Sequence, residues 1–285
     1  MSTGVRPPTD VAAPAAEEVL AKARLENFPV ALFVLPRATR KHLAAVYGFA
    51  RLVDDAGDEA TGDRLALLDA LELDLDRVYS GVPEHPLMAR LRETVSELGL
   101  PKEPFLHLIA ANRQDQHVSR YETYDELAGY CELSANPVGR LVLHVFGRPT
   151  ADRVAWSDAV CTGLQLAEHW QDVGEDYRRG RIYLPLGDLR RFGVAEVELG
   201  NGRASPAFRE LMAFEVDRAR RLLEAGVPLT ASLRGRERIA IAGYVGGGRA
   251  ALDAVERSGY DVLGAPPTAP KALRLRRTVE VLRES

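Results

Sequence analysis

The chain has 285 residues, a formal net charge of −4, 46% hydrophobic and 27% charged residues, the profile of a globular protein long enough to bury a large core. That charge balance offers no general attraction to nucleic acid. Cys131 and Cys161 make neither a disulfide framework nor a zinc pattern, which fits a reducing, cytoplasmic compartment, and no run of about 18 apolar residues is present to span a membrane.

Residues 1–14 hold Pro7, Pro8 and Pro14 and read as a disordered tail without the features of a signal peptide. From residue 15 onward the pattern is helical. A short helix over 15–24 leads to Glu26-Asn27-Phe28-Pro29-Val30, where Pro29 breaks the period. The next helix opens at Leu35-Pro36-Arg37. It carries Leu43, Val46, Ala50 and Val53 as an apolar stripe and sets Tyr47, Arg51, Asp54 and Asp58 on a neighbouring face. The aspartates gather near its C-terminal end, where the helix dipole disfavours negative charge, so local rules do not account for them. Residues 64–79 and 87–98 form two amphipathic helices. Pro101 suits the first turn of a helix reaching Tyr121, and 124–146 reads as one long helix that Pro137 kinks or breaks.

The helix over 152–176 carries the second acidic stripe. At 100° per residue Gln165, Glu168, Asp172 and Asp176 fall within an arc of roughly 80°, opposite Val160, Gly163, Ala167, Trp170 and Gly174. An acidic stripe alone is more often a solvated face than a site. This one belongs to an otherwise apolar helix, and like charges one turn apart destabilise it, so a compensating cation is expected. The basic loop Arg178-Arg179-Gly180-Arg181-Ile182-Tyr183-Leu184-Pro185 follows. Residues 186–204 hold one short helix among glycines, and further helices span 208–223 and 236–259. The last of these contains Gly246-Gly247-Gly248, with no preceding strand and no following Lys-Ser/Thr, so it is no nucleotide loop. Residues 264–270 link to a final basic helix over 271–283, with Leu273, Val279 and Leu282 set for packing. Its Lys271, Arg274, Arg276 and Arg277 leave two readings open: packing on the parent domain, or peripheral contact with anionic lipid at the inner face of a membrane. Period-two signals are nearly absent, so the fold class is all-α in one domain. Two helices with aspartates at i and i+4 can face each other and hold divalent cations through oxygen.

With these helices placed, the sequence resembles the squalene/phytoene synthase family. Its first aspartate-rich motif matches Asp54-Asp55-Ala56-Gly57-Asp58, preceded by Tyr47 and Arg51. The second matches Asp172-Val173-Gly174-Glu175-Asp176 and the basic loop after it. Within the family, Arg113-Gln114-Asp115-Gln116, residues 130–140, Trp170-Gln171-Asp172 and Gly246-Gly247-Gly248 are most like the hydroxysqualene synthase branch of bacterial hopanoid biosynthesis. Two departures stand out: Glu168 replaces a common asparagine, and Gln171 replaces an arginine common in phytoene-making members.

The resemblance implies a single-domain isoprenoid synthase bundle (class I terpenoid synthase-like) around a central cavity. It implies Mg²⁺ held by Asp54, Asp58, Glu168, Asp172 and Asp176, and diphosphate bound by Arg51, Gln165, Arg178 and Arg181. Tyr47 and Tyr130 face the diphosphate or the carbocation, and Gly248, where many relatives carry tyrosine, leaves room for water near the cation. The implied reaction turns presqualene diphosphate and water into hydroxysqualene and diphosphate, without NADPH. An apolar, aromatic chamber should hold the hydrocarbon, and the water-insoluble product leaves contacts with a membrane surface and with pathway enzymes open. The alternatives are head-to-head prenyl transfer giving presqualene diphosphate or phytoene, and a non-catalytic assembly protein of the same fold.

Overall fold

The computed structural model describes residues 13–14 and 34–285. Most of the expected N-terminal tail, the helix over 15–24 and the Pro29 break lie outside the described residues. The described chain is all-α, with helices α1 (Arg37–Asp58), α2 (Arg64–Ser80), α3 (Pro86–Leu98), α4 (Glu103–Gln114), α5 (Tyr124–Ser134) and α6 (Asn136–Val145). There follow α7 (Ala151–Arg178), α8 (Leu186–Arg191), a 3₁₀ turn at Glu196–Gly200, α9 (Pro206–Ala225), α10 (Val227–Ser232), α11 (Gly235–Arg257) and α12 (Lys271–Glu284). The only β feature among the described residues is a single parallel bridge, Arg120 to Ile182.

Local chemistry starts and stops these helices. Asp63, Thr123, Thr150 and Ser205 each accept a hydrogen bond from the backbone N–H three residues on, at the starts of α2, α5, α7 and α9, as good N-caps do. Pro137 sits in the first turn of α6, so the expected kink is a full break at Ala135. The helix expected to reach Tyr121 ends instead at Gln114. Beyond it, Ser119 accepts from the Ile182 N–H at 2.9 Å and Tyr121 from the Leu186 N–H at 2.9 Å. A non-local partner thus captures the backbone that would have continued the helix, and it clamps the basic loop in place.

The 28-residue α7 is the axis. Its apolar back, with Ala167 and fully buried Trp170, belongs to a core shared with α5, α9 and the end of α11. The Trp170 indole donates to the Glu215 carbonyl at 3.1 Å, which satisfies its one polar atom inside that core. A second core joins α1 to α2, α3 and α4 around Phe49 and Phe105, packed edge to face with centroids 5.0 Å apart. Gly174 allows a close crossing on α7: a Cβ there would lie 2.8 Å from the Leu263 carbonyl carbon, so the loop after α11 can press on the helix only where no side chain intervenes.

The final helix packs against its own domain. It packs along α11, where a Cβ on Gly246 would lie 2.7 Å from Thr278 Cα. Its buried residues are Leu273 and Val281, while Val279 and Leu282, expected to pack, are only half-buried. Arg277 pairs with buried Asp253 at 2.6 Å and with Glu280 at 2.7 Å, and Arg276 pairs with Glu280 at 2.8 Å. From α11, buried Arg249 reaches Glu284 at 2.8 Å and also Glu224. Two of the four bases considered for lipid contact are therefore held in ion pairs. No helix of the described residues is long and apolar enough to cross a membrane.

Because Asp253 is 4% exposed at the side chain and holds both Arg220 and Arg277, removing it takes the buried partner from two guanidinium groups, which keep only the more exposed Glu256 and Glu280. Asp253→Ala should cost about 2–3 kcal/mol, read as a lower urea midpoint with unchanged slope. Lys271→Ala, an exposed site, should stay within about 0.5 kcal/mol of the parent.

Candidate active site

A cavity of about 370 Å³ opens between the C-terminal ends of α1 and α7, with α4 and α5 as further walls and the basic loop at its mouth. Both aspartate pairs line it: Asp54 and Asp58 from α1, Asp172 and Asp176 from α7. So do Gln165, Glu168, Tyr130 and Arg181. Eight of the twelve residues singled out from sequence therefore share one space.

Four do not line it. Tyr47 is half-buried on α1, two turns before Asp54. Arg51 lies one turn before it and directs its guanidinium at α1's own acids, pairing with buried Asp55 at 2.8 Å and with Glu59 at 3.2 Å. Arg178 is exposed outside the cavity, and Arg179 stands at the rim in its place. Helical phase explains the correction: seven residues beyond Asp172 returns to within roughly 20° of its direction, and six does not. Gly248 packs elsewhere, since a Cβ there would lie 2.7 Å from Leu164 on α7 and 3.0 Å from Leu223 on α9. Close helix packing accounts for this glycine. Gln171, the second departure, also faces away, donating to the Pro267 carbonyl at 2.5 Å and tying the linker to α7.

Several lining residues escaped the sequence reading. Asn112, on α4, donates to Asp54 at 3.1 Å and to the Leu108 carbonyl at 3.1 Å. Gly57 makes that approach feasible, because a Cβ there would lie 3.0 Å from the Asn112 Cγ. Asp115 accepts from the Tyr130 hydroxyl at 2.9 Å. His169 stacks on Tyr183 with ring centroids 3.7 Å apart and planes 15° from parallel, and Tyr130 lies 5.9 Å from Tyr183. An aromatic wall is thus present, but the apolar lining is limited to Leu108 and Ala111; the large apolar chamber expected for hydrocarbon tails is not part of this cavity. A glycine inside an aspartate motif and a helix-ending Asn-Arg-Gln-Asp run were the available signals for Gly57, Asn112 and Asp115. His169 had none, because it sits between two acidic positions without ligand spacing.

The electrostatics are those of crowded carboxylates held among protein. Burial, with Asp58 adding repulsion, pushes Asp54 up to about 6 against the pull of the Asn112 hydrogen bond. Burial and then the charge of Asp172 push Asp176 up to about 7. Burial likewise raises Asp115 to about 6 and raises Asp172. Burial, followed by Arg181, drives His169 down to about 3, so its imidazole is neutral. Arg181 is the base within this group: it bonds Asp58 at 2.7 Å and pulls on Asp115 and Asp176. With Arg179 also acting on Asp172 and Asp176, two guanidinium groups stand against six carboxyl groups in the cavity lining.

Known proteins are similar to this chain in sequence and in fold. Residues 21–280 match the squalene/phytoene synthase family, and the chain belongs to that family. A hydroxysqualene synthase from Rhodopseudomonas palustris is 39% identical over 215 residues, covering 74% of this chain and 72% of the relative. A phytoene synthase from Arthrospira platensis is 35% identical over 264 residues, covering 86% of this chain and 84% of the relative. Among solved structures, the squalene synthase HpnC from Alicyclobacillus acidocaldarius superposes with a TM-score of 0.81 at 43% identity, over 86% of this chain and 94% of that one. The isoprenoid synthase fold expected from the motifs is the fold observed.

The crowding has a measurable signature. Asp176 has a folded pKa near 7 against an ordinary 3.8. A raised carboxyl contributes stability below about pH 4 that is lost as pH rises through 7. Asp176→Asn, which removes the charge and keeps the shape, should therefore raise Tm at pH 8 by a few degrees, on the order of 1–3 kcal/mol. The gain should vanish at pH 4. Thermal melts across that range in chelator-treated buffer test it, and a Tm lowered at pH 8 would contradict the assignment.

Proposed function

We propose that this chain converts presqualene diphosphate and water into hydroxysqualene and diphosphate in a Mg²⁺-dependent reaction. The observation that carries the reading is the cavity into which α1 and α7 each deliver an i,i+4 aspartate pair, with Arg181 between them. Similarity to hydroxysqualene synthases supports the choice of reaction, with a second such relative, from Sinorhizobium fredii, 36% identical over 216 residues and 74% of this chain.

The donor set suits Mg²⁺. The acidic donors are all oxygen, and Asp115 Oδ1 and Ser134 Oγ are buried there without a hydrogen-bond partner among the described residues. No three acidic, imidazole or thiol side chains of the described residues converge tightly enough to hold an ion alone. That fits a cation bound through one or two carboxylates and completed by waters and substrate phosphate oxygens. Each aspartate pair would hold such cations, Asp54 with Asp58 and Asp172 with Asp176, with Glu168 where relatives commonly have an amide. When bound, Mg²⁺ offsets the charge that builds on diphosphate as the C–O bond opens.

The chain's own side chains do the rest. Arg181 and Arg179 present guanidinium donors at the mouth, a geometry matched to phosphate oxygens. Arg51, paired with Asp55 and Glu59, steadies the end of α1 from beneath. The C–O bond breaks with its electron pair leaving on diphosphate; the oxygen of one water adds to the carbocation, and its proton departs with diphosphate or solvent. The stacked face of His169, Tyr183 and Tyr130 is a π surface suited to a passing cation.

The second reading, head-to-head condensation of prenyl diphosphates, is favoured by the phytoene synthase relative that covers more of this chain. Incubation with Mg²⁺ separates the two. Presqualene diphosphate should yield hydroxysqualene without NADPH. Presqualene diphosphate accumulating from farnesyl diphosphate, or phytoene from geranylgeranyl diphosphate, would instead select the transferase, and no turnover of any of them would select a non-catalytic role. Asp172→Asn should lower turnover by roughly 100-fold or more, the loss expected when several kcal/mol of charge stabilisation disappears.

A further inference from the structure

The run Arg113-Gln114-Asp115-Gln116 sends each side chain to a different part of the fold. Arg113 pairs with Asp69 and Glu72 on α2. Gln114 donates to the Tyr121 hydroxyl at 3.4 Å, and Asp115 accepts from Tyr130 on α5 at 2.9 Å. Gln116, in the turn that follows α4, reaches α1. Its amide nitrogen donates to the Gly57 carbonyl at 3.0 Å and to the Asn112 carbonyl at 3.0 Å. Gly57 is buried in the last turn of α1, between Asp54 and Asp58. We propose that Gln116 is a positioning residue: a side-chain cap that holds the last turn of α1, and with it the Asp54 and Asp58 pair, in the geometry a cation requires.

The orientation of this amide is fixed by its partners. Both are carbonyl oxygens, so the NH₂ group faces them whatever the charge on any neighbouring carboxyl. The end of α1 needs such a donor. The last carbonyls of a helix have no partner within it, and the Glu59 and Ala60 N–H groups both donate to the Asp55 carbonyl at 3.0 Å. Two carboxylates one turn apart at the negative end of the helix dipole also favour fraying there. Gln116 sets a donor against that end from a neighbouring element. Asn112, one turn earlier, does the same for the side chain: the Leu108 carbonyl fixes its amide, which donates to Asp54 Oδ1 at 3.1 Å. One amide thus holds the backbone of the motif and the other holds its first carboxyl. Partners of this kind, which orient metal ligands without touching the metal, typically cost 10–100-fold in affinity or activity when lost.

Gln116→Met keeps the length of the side chain and removes the donor. Hydrogen exchange read by mass spectrometry on the whole protein, without added metal, should become faster in residues 52–60 and stay unchanged in α7. Unchanged exchange at 52–60 overturns the proposal. The second measurement rests on the reading of the cavity as a cation site. Mn²⁺ titration of the unsubstituted protein and of Gln116→Met, followed by electron paramagnetic resonance, should show binding weakened about 10–100-fold in the variant. Asp253→Ala, whose position is outside the cavity lining, serves as the control for lost stability and should bind Mn²⁺ as the parent does. Parent-like affinity in Gln116→Met, or equal weakening in Asp253→Ala, would overturn the positioning role. If the unsubstituted protein binds no Mn²⁺, the reading of the cavity as a cation site fails, while the exchange result still decides whether Gln116 holds the end of α1.

Discussion

The organising constraint is the cost of bringing like charges together among protein. Asp54, Asp58, Asp115, Asp172 and Asp176 line one cavity with Arg181 as their principal counter-charge. Burial makes Asp54, Asp115, Asp172 and Asp176 harder to ionise here than in water, and their upward shifts record that cost. The arrangement survives because the backs of the same helices are deeply apolar. Trp170 and Ala167 on α7, and Phe49, Leu52 and Val53 on α1, are essentially buried, and each large side chain contributes about 1.5–3 kcal/mol when fully removed from water. A few such residues outweigh the repulsion, so the fold can hold a site that is locally unfavourable.

That division of each helix into an apolar back and an acidic front is what made α1 and α7 legible in the sequence. Both properties repeat with the helical period, and both violate a local rule in a way that asks for a partner. What the sequence could not convey is where a non-local contact overrides propensity. Residues 115–121 lack a strong stop signal, yet they leave the helix because Ser119 and Tyr121 pair with the backbone at Ile182 and Leu186. The choice between Arg178 and Arg179 was available from phase alone, since the loop's first residues still follow the helix. The role of the final helix was less accessible: its basic composition suits lipid, and only the acids at Asp253 and Glu280 show that part of this charge is neutralised internally.

The supporting residues around the aspartates were legible only as oddities. Gly57 and Gly174 sit inside the two aspartate motifs, and each admits a neighbouring element that a methyl group would exclude. At Gly57 the neighbour is Asn112, which steadies Asp54; at Gly174 it is the loop holding Leu263. The motifs therefore encode two things at once, a carboxylate pair toward the cavity and a bare backbone patch toward the scaffold. Asn112 and Asp115, at the end of α4 and just beyond it, carry no period linking them to α1, so the run that contains them is visible in the sequence while its contact with Asp54 and Tyr130 is not.

On the proposed reading, ionisation and product choice make different demands on the site. Carboxylates, arginines and a cation serve any reaction that begins with loss of diphosphate, so the acidic cavity is equally compatible with water capture and with condensation. Selectivity has to come from what surrounds the carbocation. Among the three glycines of α11, Gly246 is occupied by the approach of Thr278 and Gly248 by Leu164 and Leu223; both are explained by packing. A Cβ on Gly247 would meet nothing within 4 Å, which makes it the member of the trio whose missing side chain leaves space. No residue of α11 lines the acidic cavity, so this run of glycines is not tied to the site by contact.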